Sequence, residues 1–345
     1  MRTVRLGKTG LIVSRVGFGG IPIQRLTEEE AVRVVRRCLE LGITLLDTAH
    51  GYSTSEERIG KAILGRRREL VLATKTPARD KKTALEHLEL SLKRLQTDYI
   101  DLWQLHNVST AAVYGKVMGA GGAMEAAQEA LRAGKVRHVG VSSHSMDMAV
   151  KMVPTGLFET LQFPFNFVGD EAAKELLPLC WQHDVGFIAM KPFAGGMLES
   201  ARLAIKYLLQ FEGVVADPGV QSVAEIEEIA AIAEGPWGLT ADERQEMARI
   251  RGEMEPRFCH RCDYCQPCPK EVKISTAVTA QSFWKRFPPE RFFSGFVKEA
   301  VDSARRCADC GECEERCPYR LPIREMLSEN IAFYDRVKTE HAQGR

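Results

Sequence analysis

Eight of the ten cysteines fall into two short runs. Cys259, Cys262, Cys265 and Cys268 are each two residues apart and precede Pro269. Cys307, Cys310 and Cys313 keep the same spacing, and Cys317 follows after three residues and precedes Pro318. Three thiolates two residues apart let one loop curl around three corners of an iron-sulfur cube, and the proline redirects the fourth cysteine. The spacing predicts two [4Fe-4S] clusters. In the crossed arrangement, Cys259, Cys262 and Cys265 join Cys317, while Cys307, Cys310 and Cys313 join Cys268. The first run is one residue shorter before its last cysteine, so the fourth ligand of each cluster stays open. Zinc is the alternative, but structural zinc sites pair two C-x2-C knuckles across a longer loop. Four cysteines in ten residues followed by proline fit that poorly.

The second spacing is that of bacterial ferredoxins. Arg305, Arg306, Arg316 and Arg320 surround it. They read as a solvated basic face, with docking of an acidic redox partner as the alternative. The two remaining cysteines, Cys38 and Cys180, stand alone in apolar helical patterns and read as buried free thiols. Clustering of the rest, with no secretion signal, points to metal and not to disulfides.

A second constellation lies further upstream. Asp47, Lys75 and His106 each end a short apolar run, and Tyr52 stands just after the first of these. A tyrosine with pKa about 10 is a poor acid or base near neutrality. A lysine ammonium beside it favours tyrosinate and lowers that value. Asp47 would pair with Lys75 and hold its charge in place. His106 would hydrogen-bond a carbonyl oxygen or relay a proton, and Tyr52 would protonate that oxygen. An isolated strand-end ion pair or core histidine is commonplace; four such groups at successive strand ends are not.

The elements that position these groups alternate along residues 11 to 235. Eight apolar runs, at 13–20, 44–50, 70–76, 99–106, 136–144, 160–167, 185–193 and 213–220, are separated by amphipathic stretches. The first helix, 27–42, opens on a capping box of Thr27 and Glu30 and closes on Gly42. Such alternation predicts an α/β fold, a (β/α)8 TIM barrel. A doubly wound sheet is the competitor, but GFGGIP at 17–22 is not the GxGxxG a dinucleotide fold needs. The expected domains are a barrel over 1–235, a linker helix over 236–258, and a small, mainly helical dicluster ferredoxin-like domain with a helical tail over 259–345. The segment 107–122 reads as a loop without pocket chemistry.

Composition narrows the field. Lys and Arg number 47 against 46 Asp and Glu, a net charge of +1. This gives no support for a nucleic-acid or anionic-membrane partner. No apolar stretch has the length of a signal peptide core or a bilayer span, so a soluble, cytoplasmic protein is expected.

The segments LGKTGLIVSRVGFGG, LLDTAHGYSTSEERIGKAI, LATKT, DLWQLH, GKVRHVGVSSHS and DPGVQSVAEIEE resemble the aldo-keto reductase family over residues 1 to about 235. The cysteine-bearing tail is similar to that of a subgroup with a C-terminal ferredoxin-type domain. The resemblance implies a catalytic tetrad at Asp47, Tyr52, Lys75 and His106. It implies that Ser142, Ser143 and Gln162 hold a nicotinamide carboxamide, with Met190 where an aromatic usually stacks on the ring. Gly219 and Glu225 replace family Lys and Arg around the adenosine 2′-phosphate, and Ile229 replaces an Asn. Ser222 and the helix after it could still receive a phosphate. NAD(P)(H) is thus the implied cofactor; the missing basic residues argue against NADPH selectivity and leave NADH, or no tightly bound nicotinamide, as alternatives. The expected function is hydride transfer between nicotinamide and a small carbonyl or alcohol, with the clusters serving electron transfer or docking of a redox partner. The alternatives are an iron-sulfur electron-transfer protein whose barrel is a scaffold, and a redox sensor.

Overall fold

A computed structural model describes residues 1–343. The chain divides into two compact units: Met1–Ala194 with Leu198–Thr240, and Gly195–Met197 with the residues from Ala241 onward.

The first unit begins with a hairpin of β1 (Thr3–Arg5) and β2 (Ile12–Ser14). Eight parallel strands follow in sequence order: β3 (Phe18–Gly19), β4 (Leu45–Asp47), β5 (Val71–Thr76), β6 (Ile100–Leu105), β7 (Val136–Ser142), β8 (Thr160–Pro164), β9 (Gly186–Met190) and β10 (Val214–Asp217). Parallel bridges Val16–Ala216 and Gly19–Gly219 join the last strand to the first and close the barrel. Most strand residues are buried, as strands covered on both faces must be. The apolar run 13–20, expected as one strand, is split. Its start pairs with β1, and Phe18–Gly19 forms the barrel strand, with Val16 adding a single bridge. Between them Arg15 turns the chain by burying its guanidinium on the carbonyls of Leu209, Phe211 and Val214.

The barrel interior is apolar at its base. Leu45, Ala73, Leu102, Ile188 and Val215 cluster with Leu6 and Val13 of the hairpin region, which plugs that end. Gly7 makes the plug possible: its φ is +53°, and a Cβ there would lie 2.1 Å from the Gly186 amide nitrogen. Burying each such aliphatic side chain stabilises the fold by roughly 1.5–3 kcal/mol.

Helices α1 (Glu28–Glu40), α2 (Ser55–Ala62), α3 (Lys81–Leu95), α4 (Ala111–Met118), α5 (Ala123–Arg132), α6 (Met146–Met152), α7 (Leu176–Gln182), α8 (Ala201–Leu209) and α9 (Val223–Glu234) surround the strands. The expected capping box is present: Thr27 accepts from the Glu30 amide, and the Glu30 carboxylate accepts from the Thr27 amide. Gly42 lies just past the helix end at φ +78°. The segment expected as a plain loop, 107–122, contains α4, because Thr110 caps it by accepting from the Val113 amide. The eight residues of α4 carry little apolar periodicity, which is why the pattern did not reveal it.

The second unit is helical: α10 (Ala241–Met254), α11 (Ile274–Ala277), α12 (Ala280–Trp284), α13 (Pro289–Phe292), α14 (Gly295–Ala304), α15 (Glu312–Glu315) and α16 (Ile323–Gln343). Its core draws together Cys265, Cys313 and Cys317 with Val272, Ile274, Ala300 and Leu327. Arg257 bridges to Glu325 and Glu329 on α16. Among the described residues no helix is long and apolar enough to cross a membrane.

Candidate active site and cluster-binding loops

At the carboxyl ends of the barrel strands, Asp47 ends β4 and Lys75 lies near the end of β5; both are 2% exposed. Lys75 Nζ donates to Asp47 Oδ2 at 2.5 Å and to the Thr48 carbonyl at 2.7 Å. Burial alone would strip its proton, but the charge of Asp47, aided by Tyr52 and Asp217, wins and holds the ammonium above the usual lysine pKa. The turn after β4 carries Tyr52, whose ring centroid lies 5.2 Å from Lys75 Nζ. His106, just past β6, meets the Tyr52 ring edge-on at 6.0 Å. Burial, then the charges of Lys75 and Arg79, hold the His106 imidazole well below its usual pKa, so it is neutral near pH 7. The four groups expected to act together thus meet in one place. His50 turns elsewhere and stacks on His87 of α3 at 3.7 Å.

Two residues unforeseen in the sequence complete this site. Gln104 on β6 donates to Asp47 Oδ1 at 3.3 Å and to Gln162 Oε1 at 3.3 Å. Gln162 on β8 donates to Asp47 Oδ2 at 3.2 Å and to Asp217 Oδ2 at 2.8 Å. Asp217 ends β10. The signal was present: an aspartate closing the otherwise apolar run GVVADPGV, and Gln104 two residues before His106 on the inward face.

The residues implied for nicotinamide lie at the same strand ends with uneven availability. Ser142 ends β7 and accepts from the Asn107 amide at 2.8 Å, a contact that leaves its own hydroxyl proton to give. Ser143 donates to the Ser145 carbonyl at 3.2 Å. The Gln162 amide is held inside the polar network at both its nitrogen and its oxygen. Met190 ends β9, half-buried. Ser222 caps α9 by accepting from the Glu225 amide at 3.1 Å, and the Glu225 carboxylate accepts from the Gln221 amide at 2.8 Å. A carboxylate therefore already occupies the helix N-terminus where a phosphate would bind. A nicotinamide fits this rim through Ser142 and the tetrad more readily than through Gln162 or the start of α9.

In the second unit the two cysteine runs share one backbone plan. The second residue after the first cysteine and the residue after the second cysteine have positive φ in both: Arg261 and Asp263 at +60° and +62°, Asp309 and Gly311 at +56° and +80°. Alternation of right- and left-handed residues turns successive amides toward one point, the geometry of an anion cradle. Cys268, Cys307, Cys310 and Cys313 line one pocket. Cys262 and Cys317 stand close enough for charge on one to raise the pKa of the other. Among the described residues no three His, Cys, Asp or Glu side chains close on a single point as one ion requires; at the second run four thiols line the pocket. That donor set and spacing suit a four-iron cube. Two of the four flanking arginines are engaged: Arg305 pairs with Asp335 at 2.5 Å, and Arg316 with Glu312 at 2.9 Å and the Pro267 carbonyl at 2.7 Å. Cys38 and Cys180 are fully buried free thiols.

Comparison with known proteins agrees with both halves. Residues 15–203 match the model of the aldo/keto reductase family, and residues 258–322 match that of a 4Fe-4S dicluster domain. The chain is 32% identical over 232 residues to aldo-keto reductase YhdN of Bacillus subtilis, covering 62% of this chain and 67% of that one. Aldo-keto reductase AKR11C1 from Bacillus halodurans superposes with a TM-score of 0.63 at 28% identity, over 72% of this chain and 96% of that one. An aldo-keto reductase from Klebsiella pneumoniae in complex with NADPH gives 0.63 at 25%, over 72% and 95%.

Proposed function

Because the chain belongs to the aldo/keto reductase family and carries a 4Fe-4S dicluster domain, we propose that it interconverts a small carbonyl compound and its alcohol with a nicotinamide cofactor. The observation that carries this reading is the buried Asp47–Lys75 ion pair beside the Tyr52 ring, with His106 against its edge. When bound, nicotinamide supplies or takes the hydride, and the clusters exchange single electrons.

The side chains manage the oxygen and its proton. Lys75, fixed by Asp47 and the Thr48 carbonyl, keeps a positive charge beside the Tyr52 phenol and eases loss of its proton. His106, being neutral, offers one N–H to the carbonyl oxygen and orients it toward Tyr52 Oη. In the reductive direction Tyr52 gives its proton to the oxygen; in the oxidative direction it takes the proton back. Ser142 offers its hydroxyl to the carboxamide. The cysteines at 259–268 and 307–317 hold the two clusters, crossed so that Cys317 serves the first and Cys268 the second. The barrel accounts for residues 1–235, and the cluster domain with its tail for 259–345.

A second reading has its own support. Gln162 is committed to the carboxyl network and the Glu225 carboxylate accepts from the Gln221 amide at the start of α9, which supports a weak grip on nicotinamide. Under that reading the protein is an electron-transfer partner and its barrel a scaffold. Anaerobic titration of the iron-loaded protein with NADH and with NADPH separates the two. Saturable binding and carbonyl turnover that falls about 10²- to 10⁴-fold in Tyr52→Phe support the reductase. Absence of both, with cluster reduction by a low-potential electron donor, overturns it.

A further inference from the structure

The barrel mouth contains a carboxyl group that this chemistry does not use. Barrel layers are built by inward residues of alternate strands and are usually filled by Val, Ile and Leu. Here β4, β6, β8 and β10 contribute Asp47, Gln104, Gln162 and Asp217, joined by hydrogen bonds into one polar ring. Two residues earlier on three of these strands, Leu45, Leu102 and Val215 are apolar. The ring is therefore a single polar layer on an apolar stack, buried on every side: Asp217 is 5% exposed and Gln104 fully buried.

Its charges do not balance if every group takes its usual state. The charged or titratable groups facing Asp217 are Asp47 from β4 and Lys75 from β5, with Tyr52 beyond Lys75. The inward groups of β6 and β8 are the neutral amides of Gln104 and Gln162. Lys75 donates to Asp47, whereas Asp217 receives only the Gln162 amide, and its Oδ1 is buried without a hydrogen-bond partner. The Gln162 amide nitrogen holds the two carboxyls together, donating to Asp47 Oδ2 at 3.2 Å and to Asp217 Oδ2 at 2.8 Å, and so brings them within hydrogen-bonding reach. Two carboxylate oxygens can hydrogen-bond only when one carries a proton. Two buried carboxylates beside one ammonium do not both ionise.

We propose that Asp217 is a positioning residue that shares one proton with Asp47, so that Lys75 faces a single negative charge and keeps its field on Tyr52. Burial and the neighbouring Asp47 both act in this direction and hold the Asp217 carboxyl well above the usual carboxylate pKa. The proton forms one O–H bond within the pair and is not consumed in turnover. Ionisation of Asp217 at high pH would add a second negative charge beside Lys75, weaken that field, and make Tyr52 harder to deprotonate. The effect on Tyr52 rests on the reductase reading; the shared proton does not.

The test uses the iron-loaded protein carrying isotopically labelled aspartate. Infrared spectra at neutral pH are expected to show the carbonyl band of a protonated, buried aspartic acid, and Asp217→Asn is expected to abolish it. Absence of that band in the unaltered protein overturns the proposal. The pH profile of alcohol oxidation provides the second readout. With no second carboxyl left to ionise, Asp217→Asn is expected to move the ascending limb, set by loss of the Tyr52 proton, to lower pH by about half a unit or more, equivalent to about 0.7 kcal/mol. An unmoved limb overturns the effect on Tyr52. Should Asp217→Asn fail to fold, the band and its isotope shift in the unaltered protein still decide the matter. If the unaltered protein neither binds nicotinamide nor turns over a carbonyl while the band is present, the reductase reading falls and the shared proton stands.

Discussion

The barrel mouth and the cysteine loops solve the burial of charge in opposite ways. In the barrel, the protein supplies both signs: one ammonium, two carboxyls and two amides close on each other. In the cysteine unit the thiols face one another, and the Arg261 charge beside Cys259 is outweighed by their burial. Burial pushes Cys265 up to about 12 and Cys259 up to about 11, so thiolates there await an external positive charge. A self-neutralised site exists before any ligand arrives. A site of like groups is completed by iron, and its folding is tied to iron.

The most drastic way to break this contrast is to remove the metal. Chelation under anaerobic, reducing conditions is expected to unfold residues 259–322, since the loss exceeds the roughly 5 kcal/mol held by a small domain. Residues 1–235 should keep their amide protection. Hydrogen exchange followed peptide by peptide checks this; equal protection of the cysteine loops with and without iron would contradict it.

A smaller effect tests the barrel's self-neutralisation. Asp47→Asn leaves the Lys75 ammonium with Asp217 as its remaining carboxyl partner. Asp217 is expected to ionise and rescue much of the loss. The double variant Asp47→Asn with Asp217→Asn leaves Lys75 uncompensated, at a cost of about 3–5 kcal/mol. Denaturant midpoints of the barrel transition measure both; equal losses in the single and double variants would show that Asp217 does not compensate.

The smallest effect is in pH dependence. His106 is held below its usual pKa in the folded barrel, whereas the unfolded chain takes up the proton near pH 6.5. Its contribution to stability is present above that pH and lost as pH falls, by at most about 1.4 kcal/mol per unit. His106→Gln should flatten that acid limb. Barrel midpoints measured on both sides of pH 6.5 check the sign, and an unchanged slope would show that the imidazole is not desolvated.

The same contrast explains what could be read without coordinates. The cysteine site was legible as spacing because six of its eight proposed ligands lie within two seven-residue stretches of chain. The meeting of Asp47, Tyr52, Lys75 and His106 was legible because three of them stand at strand ends and Tyr52 in the turn after one, and strand ends in a closed barrel converge. The capping box on α1 was legible because its two residues are three apart. By contrast, β2 and β3 read as one strand, since apolarity does not record that Arg15 turns the chain. Helix α4 was hidden in a segment with little apolar periodicity.

What the amino-acid order determined by itself is local: which loops hold thiols at cluster spacing, which runs are strands, and which polar groups stand at their ends. Tertiary structure alone decided that Gln162 is bound within the barrel and that the Glu225 carboxylate turns back onto the helix start where phosphate would sit. It also decided that Asp217 meets Asp47 across 170 positions of sequence. The reason is geometric. Barrel closure sets the last strand beside the first, and so places β10 and β4 one strand apart with their inward side chains in one layer; no property of either segment alone records which side chain it will face.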